Sequence, residues 1–169
     1  LIDADMRRGR IHRSFGFTRD EGLRNLLLGE ITLDQAIVPG DHPNLSVIGS
    51  GRYSVEAIEK LGNETFRDLM AELRQRFDRV IIDSPPMLGL PEVAMMQPVV
   101  DGNIFVIWAG HTPLSSIKTS VSSLKTGGEK VLGFVLNRLD LSASTSWWDG
   151  LIPFLLAPAQ ADDGGRAGR

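Results

Sequence analysis

The sequence predicts an α/β fold: a mostly parallel sheet with helices on both faces. Three observations predict it. Residues 79–83 (RVIID), 104–108 (IFVIW) and 131–136 (VLGFVL) are short, continuous apolar runs, the pattern of sheet strands covered on both faces. The stretches around them carry helical apolar spacing. No two-residue hairpin turn joins the three runs, so they return through crossovers, as parallel strands must. At 169 residues and 18.5 kDa the chain has the length of one ordinary domain.

The elements follow in order. Leu1-Ile2-Asp3 reads as the end of a buried strand, and the chain is expected to be a piece of a longer protein. Residues 10–15 suit a short turn or helix. Residues 20–28 (DEGLRNLLL) read as an amphipathic helix stopped by Gly29. Thr32 can cap a second short helix, LDQAIV, ended by Pro39-Gly40. Residues 44–49 (NLSVIG) read as a short strand between turns. Ser54 caps a helix that stops at Gly62-Asn63. Asn63 caps the next, on which Phe66, Leu69, Met70, Leu73 and Phe77 share a face. Residues 113–125 read as the helix between the last two strands. Beyond Asp140 the composition changes: SASTSWWDG is loop-like, LIPFLLAPA is broken by prolines, and ADDGGRAGR is of the disordered type. The expected organisation is a domain over 1–140, incomplete at its N-terminus, and a largely disordered tail over 141–169.

Composition excludes several function classes. There are no cysteines, so disulfides, thiolate zinc sites and a cysteine nucleophile are out. Three scattered histidines make no metal box, and a net charge of −3 is no footprint for nucleic-acid binding. No apolar run approaches the ~20 residues of a membrane-spanning helix. The charge is unevenly placed: residues 1–19 hold five arginines against Asp3 and Asp5. Such a cluster suits a local anion or a solvated loop. His12, within it, is expected to be an exposed loop histidine, and Met95-Met96 to fill core.

Two apolar strands end in aspartate. One closes on Asp3, with Asp5 two residues on, and the other on Asp83. In an open parallel sheet, ligands bind beyond the carboxyl ends of the strands. A carboxylate there is poorly solvated and wants a cation or a donor, and magnesium prefers carboxylate, water and phosphate oxygens. The third apolar run leads into Asn137, suited to reading a base edge.

LIDADMRRG resembles the second nucleotide motif, and FDRVIIDSPP the metal-binding strand, of the bacterial tyrosine kinases that accompany capsular and exopolysaccharide export. Residues 15–37 and PNLSVIGSG follow the same family's order, and VLGFVLNRLD resembles its last core strand. The resemblance covers about residues 1–140 and implies a P-loop NTPase-like fold without the P-loop strand in this chain. It implies an ATP-dependent protein-tyrosine kinase that uses Mg²⁺. Asp3 and Asp83 would serve the metal, Asp5 would accept the tyrosine proton, Arg7 and Arg8 would lie by the phosphate, and Asn137 would touch adenine. It further implies a homo-oligomer at the inner face of the cell membrane, coupled or fused to a chain-length-determinant membrane protein. Three features depart from the family pattern. The GxxxxGK[S/T] loop does not occur in the 169 residues, and the family places it upstream of the Asp3 motif. Tyr53 is the only tyrosine, where family tails are tyrosine-rich. Gly9 stands where a proline is common. Two other readings stay open: an ATPase switch of the septum-placing and plasmid-partitioning type, and a non-catalytic fragment or pseudokinase.

Overall fold

A computed structural model describes residues 1–126, 128 and 130–139. The chain divides into two compact units, Leu1–Val100 and Asp101–Arg169. In order, the first unit carries β1 (Ile2–Asp3), α1 (Ile11–Ser14), α2 (Leu23–Leu27), α3 (Leu33–Ala36), β2 (Val38–Pro39), β3 (Ser46–Val47), α4 (Val55–Lys60), α5 (Glu64–Arg76), β4 (Ile82–Asp83) and α6 (Glu92–Met96). The second carries β5 (Asn103–Trp108), α7 (Leu114–Thr126) and β6 (Val131–Asn137). The expected tail over 141–169, with Trp147 and Trp148, lies outside the described residues. Among those residues, no helix is long and apolar enough to cross a membrane.

In the first unit β1 lies in the middle. It pairs in parallel with β4, Ile2 opposite Ile82 and Asp3 opposite Asp83. Its other edge bridges Ile48 in parallel, just past β3. The Asp3 N–H donates to the Ile48 carbonyl at 2.9 Å and the Ala4 N–H to the Asp83 carbonyl at 2.8 Å. Ile2, Ala4 and Met6 feed one continuous core with Leu23 and Leu27 of α2, Leu33 and Ala36 of α3, Ala57 and Ile58 of α4, and Phe66, Met70 and Leu73 of α5. The α5 face expected from its spacing is the buried one, with Leu69 and Phe77 at its margin. Met96 is buried in the same core and Met95 packs on it, as their core-filling reading expects.

The local start signals behave chemically as expected. The Thr32 hydroxyl accepts the Gln35 N–H while the Gln35 side chain accepts the Thr32 N–H at 2.8 Å, a reciprocal cap. The Ser54 hydroxyl accepts the Ala57 N–H at 3.2 Å. Asn63 stands at the N-cap of α5 without a side-chain cap bond. Gly29 ends the second helix at φ +71, a conformation glycine adopts without strain.

Two expectations are corrected. The LDQAIV helix stops at Ala36, and Val38–Pro39 pairs antiparallel with Ser46–Val47. The residue before a proline is driven out of the α region, so Val38 is extended and the helix closes before it. The RVIID strand is not covered on both faces within this unit. Val80 and Ile82 pack on the core while Ile81 between them is 64% exposed, the two-residue alternation of a strand with one buried face.

In the second unit β5 and β6 pair in parallel over their length, from Ile104 opposite Gly133 to Trp108 opposite Asn137. Phe105 and Phe134 sit directly across from each other, ring centroids 5.7 Å apart. Ile117 and Val121 of α7 pack on that face with Ile107 and Leu136. Ile104, Val106 and Val135 on the opposite face are exposed.

Phe66 is fully buried at the centre of the first core. Phe66→Ala should cost about 3–5 kcal/mol through lost burial and the residual cavity. Urea denaturation monitored by circular dichroism measures it, and a loss below about 1 kcal/mol would show that the ring is not packed as described.

Candidate functional site

The parallel register brings the two strand-end aspartates to one edge of the first unit's sheet. Asp3 has no exposure at all. Its carboxylate is held by the turn that follows: Oδ1 accepts the Asp5 N–H at 3.1 Å and Oδ2 accepts the Ile11 N–H at 3.2 Å. The chain doubles back over it at Gly9, whose N–H donates to the Asp5 carbonyl at 2.6 Å. A Cβ at Gly9 would meet the Asp3 carboxylate at 2.5 Å and the Asp5 carbonyl at 2.5 Å. Only glycine fits here, and the constraint is space rather than backbone angle.

Asp5 is half-buried and caps the same turn. Its Oδ1 accepts the Arg7 N–H at 3.1 Å and the Arg8 N–H at 2.8 Å. Arg8 is exposed. Arg7 reaches back instead: its Nε donates to Glu92 Oε1 at 2.6 Å. The Arg7 guanidinium also lies 5.4 Å from the Tyr53 ring centroid. Arg19 braces the turn from outside, donating to the Met6 carbonyl, the Ser50 hydroxyl and the Gly51 carbonyl.

The electrostatics follow from this crowding. Burial raises the Asp3 carboxyl above the usual carboxylate range; the Ile11 and Asp5 N–H groups pull it down, and the negative charges of Asp83 and Asp5 push it up again. Asp83 is raised as well, first by partial burial of its carboxyl and then by Asp5. Glu92, above all, strengthens Arg7's hold on its proton, and Tyr53 adds to it. The edge is therefore short of positive charge. An all-oxygen, anionic donor set under mutual repulsion fits a hard divalent cation such as Mg²⁺. Among the described residues no group of three or more His, Asp or Glu side chains could hold a metal ion by itself. A cation here would share its shell with water and phosphate oxygens, as Mg²⁺ commonly does.

Asp3, Asp5, Arg7, Arg8 and Asp83 thus share one region of the first unit. Asn137 ends β6 in the second unit, opposite Trp108, and its side-chain oxygen accepts the Arg138 N–H at 2.9 Å. Arg138 stacks over Trp108, its guanidinium 4.3 Å from the ring centroid. His12 departs from expectation. It lies half-buried on α1, with Nδ1 shielded and without a partner, because its ring is turned in beside Phe17. Glu92 and Arg19 escape the sequence reading. A glutamate opening a helix looks like an ordinary first-turn acid, and nothing marks its 85-residue link to Arg7.

No family model matches the chain. The tyrosine-protein kinase ptk of Acinetobacter johnsonii is 31% identical over 85% of the chain, which spans 20% of that protein. The crystal structure of the VpsO kinase domain superposes with a TM-score of 0.77 at 34% identity, over 83% of this chain and 70% of that one. The cell-division ATPase MinD of Pyrococcus furiosus shares the fold, with a TM-score of 0.66 at 23% identity over 89% of this chain and 65% of that one.

Two substitutions test the edge. Raised carboxyl pKa values mean stability that is complete below the usual carboxylate range and lost as pH rises through the raised values. Asp83→Asn should therefore raise the thermal midpoint at neutral pH, by no more than about 3 °C for an exposed side chain. It should also abolish any midpoint gain on adding Mg²⁺. Scanning calorimetry at pH 4 and 7, with and without Mg²⁺, checks both. Gly9→Ala should lower the midpoint at every pH, because the new methyl displaces the Asp3 carboxylate; an unchanged midpoint would show the turn to be looser than described.

Proposed function

The chain belongs to the bacterial tyrosine-protein kinase family, and on that premise we propose that it transfers the γ-phosphoryl group of Mg-ATP to tyrosine hydroxyls in capsular or exopolysaccharide synthesis. The chain spans a fifth of the length of the Acinetobacter relative, so the activity of the whole protein is part of the proposal. The observation that carries it is the register pairing of Asp3 with Asp83, with Asp5 charged against both.

Phosphoryl transfer asks for positioning and charge neutralisation more than for covalent chemistry. Asp3 and Asp83 would hold Mg²⁺, directly or through water, and the ion would neutralise charge on the phosphates. Asp5 is the base. Its Oδ1 is committed to the Arg7 and Arg8 N–H groups, which leaves Oδ2 to take the tyrosine proton as the hydroxyl oxygen attacks the γ-phosphorus, the bond to the β–γ bridging oxygen breaks and ADP leaves. Arg7 and Arg8 offer guanidinium forks to phosphate oxygens. Asn137 reads the adenine edge. The natural setting is the inner face of the cell membrane, where the protein works as a homo-oligomer with a chain-length-determinant membrane protein and without nucleic acid.

Asp5→Asn tests the assignment cleanly, because asparagine keeps the oxygen that caps the turn and loses the base. In the complete protein, transfer to a tyrosine-rich peptide should fall about 10²–10⁴-fold, with ADP affinity within a few-fold by calorimetry. Mass spectrometry maps the phosphate. ATP hydrolysis without phosphotyrosine would favour the ATPase switch, and loss of both activities the non-catalytic reading.

A further inference from the structure

Glu92 has no part in the roles above, yet it is among the most completely buried charged groups of the first unit. Its side chain is 2% exposed. Oε1 accepts the Arg7 Nε–H at 2.6 Å, and Oε2 is buried without a partner. The bond ties the turn after β1 to the segment after β4, the two stretches that leave Asp3 and Asp83. A carboxylate taken out of water with one charged partner and one idle oxygen is a poor device for stability; an apolar pair of similar size does as well or better. What the bond does provide is orientation. A half-exposed arginine has many rotamers, and fixing Nε leaves the Nη groups as the donors not committed to Glu92. The Tyr53 ring bounds the same guanidinium.

We propose that Glu92 is the positioning residue for Arg7, fixing its guanidinium so that it meets an anionic phosphoryl oxygen beside the Asp3–Asp83 edge. The identity of that anion rests on the kinase reading; the fixing of Arg7 does not. Glu92→Gln removes the charge but keeps a side-chain oxygen that can accept the Arg7 Nε–H, so it weakens the bond to one with a neutral acceptor and strands no buried charge. The neutral double variant Arg7→Gln/Glu92→Gln serves as a folding control.

Two measurements on the complete protein decide it. With ¹⁵N-labelled arginine, the Arg7 Nε–H signal, assigned by its loss in Arg7→Gln, should exchange with water about five- to tenfold faster in Glu92→Gln, where a neutral amide oxygen replaces the carboxylate as acceptor. Equal exchange in the two proteins overturns the proposal, whether or not the chain transfers phosphate. In transfer from Mg-ATP to a tyrosine peptide, Glu92→Gln should lower kcat about 10–100-fold with KM for ATP within about threefold. The double variant should be no slower than Arg7→Gln, and Glu92→Asp should recover part of the loss. Independent, multiplying effects of the two single substitutions would overturn the coupling. If the complete protein transfers nothing, the kinase reading fails by itself. Magnesium pyrophosphate then replaces ATP as the probe: a shift of the Arg7 signal that Glu92→Gln abolishes supports the proposal, and a shift that persists overturns it.

Discussion

A carboxylate that cannot reach water organises this edge. Asp3 has no exposure, and an ionised group in that position must be given donors or lose its charge. The donors are main-chain N–H groups of Asp5 and Ile11. To deliver both, the chain must leave β1, reverse within a few residues and return over the carboxylate. The reversal is closed by the Asp5 carboxylate, which takes the next two free N–H groups. The turn thus pairs most of its own N–H groups, and the Arg7 side chain leaves it for Glu92. Neighbouring elements are placed by the same constraint: Ile11, the second donor, is also the first residue of α1.

Elsewhere among the described residues five acids are paired with arginine. Arg24 meets Glu30, Arg52 meets Asp20, Arg67 meets Glu64, and Arg76 meets both Asp34 and Glu72. These exposed pairs contribute little stability, but each gives a carboxylate a guanidinium within hydrogen-bond distance. At the strand-end edge the pattern inverts. Three aspartates repel one another, and Arg7, on the turn between them, is engaged by a fourth carboxylate, that of Glu92. A fold that leaves the strand-end acids without a basic partner has spent stability at the place where a cation and phosphates are proposed to sit, the usual location of perturbed carboxyl groups.

The legible part of the molecule was the part governed by short-range pattern. The apolar run into aspartate foretold both Asp3 and Asp83, and parallel crossovers foretold that they would share an edge, which the register bears out. The shared face of Phe66, Met70 and Leu73 was equally plain, as were the caps at Thr32 and Ser54. What escaped was decided by contacts across the chain. Glu92 reads as a helix-opening acid until Arg7 is brought to it. His12 reads as a loop residue until Phe17 turns its ring inward. The run ending at Asp83 reads as buried throughout, because sequence hydropathy cannot say which face of a strand acquires a cover; Ile81 did not acquire one among the described residues of its unit. The early end of α3 was readable in principle from Pro39, whose effect falls on the residue before it.

The departure at Gly9 sharpens the division of labour among the three acids. A residue with a Cβ at this position would sit 2.5 Å from the Asp3 carboxylate, so proline, common there in the family that the motif resembles, needs a wider turn than this one. Glycine allows the backbone to close directly on Asp3, and complete burial of that carboxylate is the result. Its two oxygens each carry a backbone N–H bond, and an incoming ion would find it a source of field and geometry before it found it a free ligand. Asp83 is exposed and Asp5 is half-buried, so these are the carboxylates a ligand meets first. Burial and the charges of Asp83 and Asp5 raise the cost of keeping the buried acid ionised, and that cost is what a cation at the edge relieves. In this chain, then, the tightness of one turn sets both how strongly the edge attracts positive charge and which oxygens are left to receive it.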